Sequence, residues 1–235
     1  MSALEQRIAD NVARVRQAIA DAAARSGRRA DEVTLVGVSK YVGVAEIEAL
    51  LAAGCCDLGE SRPQSLWDKA EQLAQRAIRW HLIGHLQRNK ARRTLPLVTL
   101  LHAGDSWRLL EAASQTMEQV GRALDVLLEV NVSGDATKTG FVPDAVEPLF
   151  PQIVRLPQLR VCGLMAMASW GGTLDEARRD FVRLRTLRDR LAAVCPPEVS
   201  LAQLSMGMSG DFEVAVEEGA TLVRVGSALL EGVES

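Results

Sequence analysis

The chain has 235 residues, of which 48% are hydrophobic and 24% charged, and its net charge is −3. This composition excludes a general attraction to nucleic acid or to an anionic membrane surface. A chain of this length can bury one large core, so we expect a single domain over residues 1–235. With no apolar stretch that could cross a bilayer and no signal-peptide pattern at the charged N-terminus, we expect a cytoplasmic protein.

The first element in the chain is a predicted amphipathic helix that ends near Gly27. Its apolar residues recur at helical spacing on one stripe: Leu4, Ile8, Val12, Val15 and Ile19.

From residue 33 onward, short apolar runs alternate with amphipathic segments. The apolar runs predict strands over 33–39, 56–60, 79–84, 97–103, 124–132, 160–168, 200–206 and 221–226. The amphipathic segments predict helices over 44–54, 63–75, 87–95, 106–121, 143–156, 173–194 and 210–219.

The order of these elements predicts the fold class. Strands without polar alternation are typical of parallel strands that are covered on both faces. Eight of them with helices between indicate an α/β fold, a closed (β/α)8 TIM barrel with an extra N-terminal helix. A doubly wound open sheet is the alternative. Within this plan, Pro148 and Pro151 should bend or split helix 143–156, and Thr173 with Glu176 should form a capping box.

Polar residues stand at the carboxyl ends of the predicted strands, where the active face of such a barrel lies. They are Ser39, Lys40, Glu60, His81, Asn131, Ser169 and Arg224. The loops LSMGMSGD (204–211) and VRVGSA (223–228) follow the last two strands and present backbone N–H groups and hydroxyls that suit a phosphate. Small residues also make tight turns, so each loop alone is a weak signal.

Lys40 ends the apolar run LVGVSKY (35–41) and has two interpretations. Facing a phosphate site across the barrel mouth, its amine suits imine formation with a phosphorylated aldehyde. A solvated lysine after a strand is the alternative, and the spacing alone leaves both open.

Three other features favour structural interpretations. His81 and His85 in HLIGH have metal-ligand spacing only on a helix, whereas the segment predicts a strand and a turn. The basic cluster QRNKARR (87–93) favours a solvated helix face over contact with RNA or an acidic partner. The four cysteines lack zinc or redox spacing, so we expect buried, reduced thiols.

Seven segments give the chain a resemblance to a known family. They are LVGVSK around Lys40, LGESRPQ (58–64), WHLIGHLQRNK (80–90), VNVSGDATKTG (130–140), GLMAMA (163–168), LSMGMSGD (204–211) and TLVRVGSALLEG (221–232). In this order they resemble the pyridoxal-phosphate homeostasis protein family, a single-domain relative of the alanine racemase N-terminal barrel.

The resemblance implies that pyridoxal 5'-phosphate (PLP) is the cofactor. It implies a cofactor site at Lys40, Ser61, His81, Met165, Ser205, Met208, Ser209, Arg224, Gly226 and Ser227. Lys40 would hold PLP as an internal aldimine, and Arg224 would face the pyridine nitrogen. Ser205, Ser209 and the Gly226–Ser227 backbone would hold the phosphate. His81 and Met165 would lie near the cofactor.

The chain departs from the family pattern at a few positions. Ser61 stands where the family usually has asparagine, Ser65 replaces a usual glutamate, and YVGV after Lys40 lacks the usual proline. A contact made by that asparagine would be shortened or bridged by water. These changes spare the lysine and the phosphate loops, so we expect binding to persist, with the affinity in question.

The same residues argue against an enzyme. Arg224 cannot accept a proton, so the pyridine nitrogen should stay unprotonated and the electron sink weak. Racemisation needs proton-transfer groups on both faces of the substrate carbon. Alanine racemase takes its second group from a C-terminal domain that we expect to be absent here, and we expect Tyr41 to point to another side.

The resemblance therefore implies a PLP carrier or buffer in vitamin B6 homeostasis and amino-acid balance. A slow PLP-dependent racemase and a regulatory module that contacts PLP-dependent enzymes are the alternatives. We expect a monomer whose partners are PLP and such enzymes, with no nucleic acid, membrane or metal.

Overall fold

The fold is seen in a computed structural model that describes residues 1–135, 137–169 and 171–233. Ala136 of the 130–140 segment and the final residues 234–235 of the expected domain lie outside the described residues. The strands are β1 Thr34–Val38, β2 Asp57–Glu60, β3 Arg79–Leu82, β4 Leu100–Gly104, β5 Leu124–Glu129, β6 Leu159–Met165, β7 Gln203–Ser205 and β8 Leu222–Val225.

Helices lie between the strands and before β1. They are α1 Ala3–Arg25, α2 Val44–Ala52, α3 Pro63–Gln72, α4 Arg88–Thr94, α5 Trp107–Val120, α6 Pro143–Val146, α7 Phe150–Ile153, α8 Leu174–Ala192 and α9 Phe212–Glu217. Short 3₁₀ turns lie at Ala30–Glu32, Leu95–Leu97, Glu147–Leu149 and Ser227–Leu229.

The strands form a closed parallel barrel. Each strand pairs with the next in chain order, and β8 returns to β1 in the register Thr34–Leu222 to Gly37–Val225. This closure confirms the predicted (β/α)8 barrel and excludes the open sheet. Because all strands run the same way, their carboxyl ends meet at one face.

Local signals account for the helix boundaries. Ser2 Oγ accepts the Glu5 N–H at 3.1 Å and begins α1 with a capping box. Helix α8 begins in the same way at Thr173, whose Oγ1 accepts the Glu176 N–H at 3.3 Å, as predicted. The predicted helix 143–156 is split at its prolines into α6, a 3₁₀ turn and α7, also as predicted.

Apolar side chains fill two layers. The larger layer lies between the strands and the surrounding helices, and it includes the buried stripe Ile8, Val12, Val15 and Ile19 of α1. A smaller cluster comprises Val36, Leu100, Ala103, Leu127, Met165 and Leu222, all from strands. In the described ranges, no helix has the length and apolar character needed to cross a membrane.

Candidate functional site

A cavity of about 630 Å³ opens at the carboxyl ends of the strands. Strands or following loops from most of the barrel contribute to its wall. The lining residues are Val38, Lys40, Tyr41, Ser61, Ile83, Gly84, His85, Glu129, Thr139, Met167, Met208, Ser209, Gly210, Arg224, Gly226, Ser227 and Leu230. This is the face on which enzymes and binding proteins of this fold place their ligands.

The structure brings most of the predicted site residues to this one cavity. Those in its lining are Lys40, Ser61, Met208, Ser209, Arg224, Gly226 and Ser227. His81, Met165 and Ser205 are instead buried within the barrel, outside the lining. Ser61 is close to the next loop, since a β-carbon on Gly84 would lie 2.5 Å from the Ser61 carbonyl oxygen.

The end of β1 that presents Lys40 is anchored by a buried ion pair. Lys69 Nζ of α3 donates to Glu60 Oε1 at 2.5 Å and to the Ser39 carbonyl oxygen at 2.6 Å. Ser39 Oγ donates to the same Glu60 Oε1 at 3.1 Å, and the Ser39 N–H donates to the Gly59 carbonyl at 3.0 Å. Lys40 is itself exposed. The backbone just before Lys40 is therefore fixed by hydrogen bonds to both the N–H and the carbonyl group of Ser39.

Tyr41 lies against Lys40 rather than on another side. The Lys40 Nζ is 4.7 Å from the centroid of the Tyr41 ring, and both residues line the cavity. The expectation that Tyr41 points elsewhere is wrong. Tyr41 is 73% exposed, and its ring can stabilise the protonated amine by a cation–π interaction.

The loop after β8 directs two backbone N–H groups at a serine hydroxyl of the loop after β7. The N–H groups of Gly226 and Ala228 lie 3.0 Å and 3.4 Å from Ser209 Oγ, which accepts both. Gly207 permits this loop path, because its φ is +90° and an added β-carbon would lie 2.5 Å from Ala215 Cβ. Convergent N–H groups with serine hydroxyls are what a phosphate oxygen requires.

Arg224 supplies a buried positive charge to the cavity. Its Nη1 donates to Ser205 Oγ at 2.5 Å and its Nη2 to the Ala166 carbonyl oxygen at 3.1 Å. Burial lowers the pKa of Arg224 to about 10, although the carboxylates of Asp211 and Glu129 act to raise it. The guanidinium therefore remains charged at neutral pH.

The cavity is also lined by two acid–base groups, His85 and Glu129, that the sequence analysis did not select as cofactor-binding residues. His85 Nδ1 contacts Asp105 Oδ2 at 2.5 Å, and Asp105 is buried. Burial raises the pKa of Glu129, while a 2.7 Å hydrogen bond from Thr139 Oγ1 acts to lower it. The sequence positions of the two carboxylates could have indicated them, because Asp105 directly follows β4 and Glu129 ends β5.

The two histidines of the HLIGH segment, considered above for metal-ligand spacing, lie apart in the structure. His81 is in the barrel interior, whereas His85 lines the cavity. Across residues 1–135, 137–169 and 171–233, no three His, Cys, Asp or Glu side chains are grouped as metal ligands. In the basic cluster, the Arg93 guanidinium lies 4.2 Å from the centroid of the Trp67 ring.

Comparison with known proteins identifies relatives over nearly the whole chain. The family model described as the alanine racemase N-terminal domain matches residues 6–232. The pyridoxal phosphate homeostasis protein of Aquifex aeolicus is 38% identical over 220 residues, which cover 94% of this chain and 96% of the relative.

Solved structures show the same similarity. A protein from Bifidobacterium adolescentis superposes with a TM-score of 0.91 at 38% identity, covering 97% of this chain and 96% of the other. PipY of Synechococcus elongatus, solved with PLP bound, has a TM-score of 0.84 at 35% identity. That match covers 94% of this chain and 99% of PipY.

Proposed function

Because this chain belongs to the alanine racemase N-terminal domain family, among its pyridoxal phosphate homeostasis proteins, we propose that it binds PLP through Lys40 and serves intracellular vitamin B6 homeostasis. The observation that carries the proposal is one cavity lined by an exposed lysine, a buried arginine and a loop with convergent N–H groups. PipY, a relative of known structure, binds the same cofactor.

The lining residues fit the parts of the PLP molecule. The N–H groups that meet Ser209 Oγ suit the phosphate, and the Lys40 amine suits the aldehyde. The Arg224 guanidinium suits an unprotonated ring nitrogen, because it can only donate hydrogen bonds.

The covalent step needs no further reactant. Lys40 would hold PLP covalently through its unprotonated amine, and the aldehyde oxygen would leave as water with the two amine hydrogens. Water can hydrolyse this linkage and restore the amine and the aldehyde, so the attachment is reversible and suits a protein that stores or delivers its cofactor. The buried Lys69–Glu60 pair holds the strand end from which the amine projects.

We propose that the protein is a carrier or regulator rather than an enzyme. Arg224 as the partner of the ring nitrogen makes PLP a weak electron sink. Tyr41 packs on Lys40 itself, so this pair does not offer proton-transfer groups on opposite faces of a substrate carbon. The names of the relatives, homeostasis proteins, agree with this assignment.

A slow PLP-dependent racemase is the second candidate. It is favoured by the His85–Asp105 pair, which resembles an oriented general base: His85 lines the cavity, and its partner Asp105 is buried. If this candidate is correct, amino-acid racemisation should depend on both Lys40 and His85.

The proposal is tested by visible absorbance. Purified protein is mixed with PLP, freed of excess cofactor and treated with borohydride. We expect an absorbance band in the visible range that disappears on reduction. Reduction should leave a stable PLP adduct on the peptide that contains Lys40. Lys40→Ala should lack both the band and the adduct, whereas Lys90→Ala, a lysine outside the cavity lining, should retain them.

Absence of the band from the wild-type protein, or an adduct in Lys40→Ala equal to that of wild type, would contradict the proposal. Racemase assays on PLP-loaded protein that has not been reduced then separate the two candidates. Pull-down with PLP-dependent enzymes tests whether the protein also acts as a regulatory partner.

A further inference from the structure

A continuous chain of polar side chains crosses the barrel interior from one end to the other. Asp57 Oδ1 lies 3.1 Å from His81 Nε2, and His81 Nδ1 lies 2.8 Å from His102 Nε2. His102 Nδ1 lies 2.8 Å from Ser205 Oγ, which accepts from Arg224 Nη1 at 2.5 Å. The five residues come from β2, β3, β4, β7 and β8. We call this chain the relay.

Hydrogen-bond roles determine the direction of the relay. Arg224 can only donate, so the Ser205 hydroxyl accepts from it and donates to His102 Nδ1. The proton of His102 must then be on Nε2, where it is donated to His81 Nδ1. His81 in turn carries its proton on Nε2 and donates it to the Asp57 carboxylate. Every donor in the relay has one acceptor when both histidines are neutral.

The reverse direction leaves two defects. With a proton on His102 Nδ1, Ser205 Oγ would accept twice, and its own O–H would have no other side-chain acceptor among the described residues. A neutral His81 would then direct the lone pair of Nε2 at the Asp57 carboxylate. Unsatisfied buried polar groups are costly, so the first direction is favoured.

The electrostatic surroundings agree with this assignment. His102 is fully buried, and burial, with the charged Arg224 nearby, lowers its pKa well below the usual value, which keeps it neutral. Burial alone would raise the pKa of Asp57, but hydrogen bonds from His81 and Arg79 lower it to about 2. The relay thus runs from a charged guanidinium at the cavity to a charged carboxylate at the amino-terminal face.

We propose that His102 and His81 are positioning residues that hold the Arg224 guanidinium in one orientation at the cavity. If the Ser205 O–H bond could rotate, the lone pairs that accept from Arg224 would change direction with it. When Ser205 donates this hydrogen to His102 Nδ1, its lone pairs point in one fixed direction. Pre-organised donors bind without a reorganisation penalty. The consequence for PLP, that Arg224 meets the ring nitrogen in one geometry, rests on the proposed function.

The relay is tested first without cofactor. Nitrogen NMR of the 15N-labelled protein reports the histidine tautomers and the rotation of the guanidinium. We expect both His81 and His102 to be neutral with the proton on Nε2, and the Arg224 Nη groups to give separate signals. A proton on His102 Nδ1, or freely rotating Arg224 in the wild-type protein, would overturn the proposal.

Three variants then separate positioning from simple stability. His102→Gln keeps an acceptor and a donor, and His102→Met keeps the bulk while removing both. Leu101→Ala makes a cavity in the outer apolar layer, on the face of β4 opposite to His102. We expect merged Arg224 signals in His102→Met, separate signals in Leu101→Ala, and at least partial recovery in His102→Gln.

The loaded protein gives a second readout. In His102→Met the dissociation constant for PLP should rise about tenfold, the consequence expected when one hydrogen bond to a charged group loses its geometry, and the visible band should shift. If His102→Met does not fold, Ser205→Ala breaks the relay by removing one oxygen. A wild-type spectrum and affinity in both folded relay variants would refute the positioning role. If the wild-type protein binds no PLP but shows the expected NMR signals, the positioning role stands and the proposed function fails.

Discussion

The buried ion pair beneath Lys40 gives a sharp prediction about stability. Lys69→Met removes the cation that Glu60 contacts and keeps most of the side-chain volume in α3. Glu60 is fully buried, and its second oxygen, Oε2, has no hydrogen-bond partner among the described residues. The variant therefore leaves a carboxylate in the protein with little besides the Ser39 hydroxyl to compensate it.

The expected loss is large on the scale of a single domain. Removing one partner of a buried pair costs about 3–5 kcal/mol, against about 0–1 kcal/mol for an exposed pair. The pair belongs to the first class, because the side chains of Lys69 and Glu60 are 11% and 0% exposed. Lys69 also donates to the Ser39 carbonyl, so its loss should weaken the anchoring of the strand end before Lys40.

Urea unfolding followed by circular dichroism measures the free energy of unfolding. Lys69→Met should lose about 4 kcal/mol. The double variant Lys69→Met/Glu60→Gln, in which no charge is left buried, should recover at least about half of that loss. Glu71→Gln, at an exposed position of the same helix, should stay within about 0.5 kcal/mol of wild type. A loss below about 1 kcal/mol in Lys69→Met, or no recovery in the double variant, would refute the reasoning.

Three further predictions follow from single residues. Gly207→Ala should lower the free energy of unfolding in urea by about 1–3 kcal/mol and weaken PLP binding, because the φ of Gly207 is +90°. Gly210→Ala should leave the free energy of unfolding nearly unchanged, because no atom lies near its β-carbon position. Burial alone would raise the pKa of Asp57, but a histidine and an arginine lower it from 3.8 to about 2. The ionised carboxylate thus contributes about 2 kcal/mol above pH 4, and the stability difference between wild type and Asp57→Asn should shrink as the pH falls towards 2. Burial raises the pKa of Cys55 to about 11 and of Cys162 to about 12. A thiol reagent at pH 8 should therefore label Cys55 about 100-fold, and Cys162 about 1000-fold, more slowly in native than in unfolded protein. Equal labelling rates in the two states would contradict the burial of these thiols.

Predictions that depend on local patterns agree with the structure. Strand positions follow from apolar runs and the splitting of 143–156 from its prolines, and the start of α8 follows from the spacing of Thr173 and Glu176. Each of these is decided within a few residues of the chain. The barrel then brings Lys40 and Arg224 to one face because parallel strands share their direction.

The interior contacts depend instead on residues far apart in the chain. His102 and Ser205 are 103 residues apart, and each occupies a strand position where apolar side chains are usual. The position of a single histidine in a predicted strand does not indicate which of its ring nitrogens will form a hydrogen bond. It also does not indicate which strand across the barrel will supply the partner. Lys69 gave a weak signal, because a lysine three residues after the buried Leu66 lies on the inner side of α3. Tyr41 was misjudged because the direction of a side chain in a loop is not set by strand alternation.

The short strand β2 connects the two polar systems that serve the site. Asp57 at its start terminates the relay to Arg224, and Glu60 at its end anchors the segment before Lys40. Gly59 between them leaves little room, since a β-carbon there would lie 3.1 Å from Val36 Cγ1. A four-residue strand that is fixed at both ends by carboxylates therefore determines the position of two groups on different sides of the cavity. If a carrier must bind and release PLP without rearranging its core, this rigid support explains why two costly buried charge systems are kept in so short a segment.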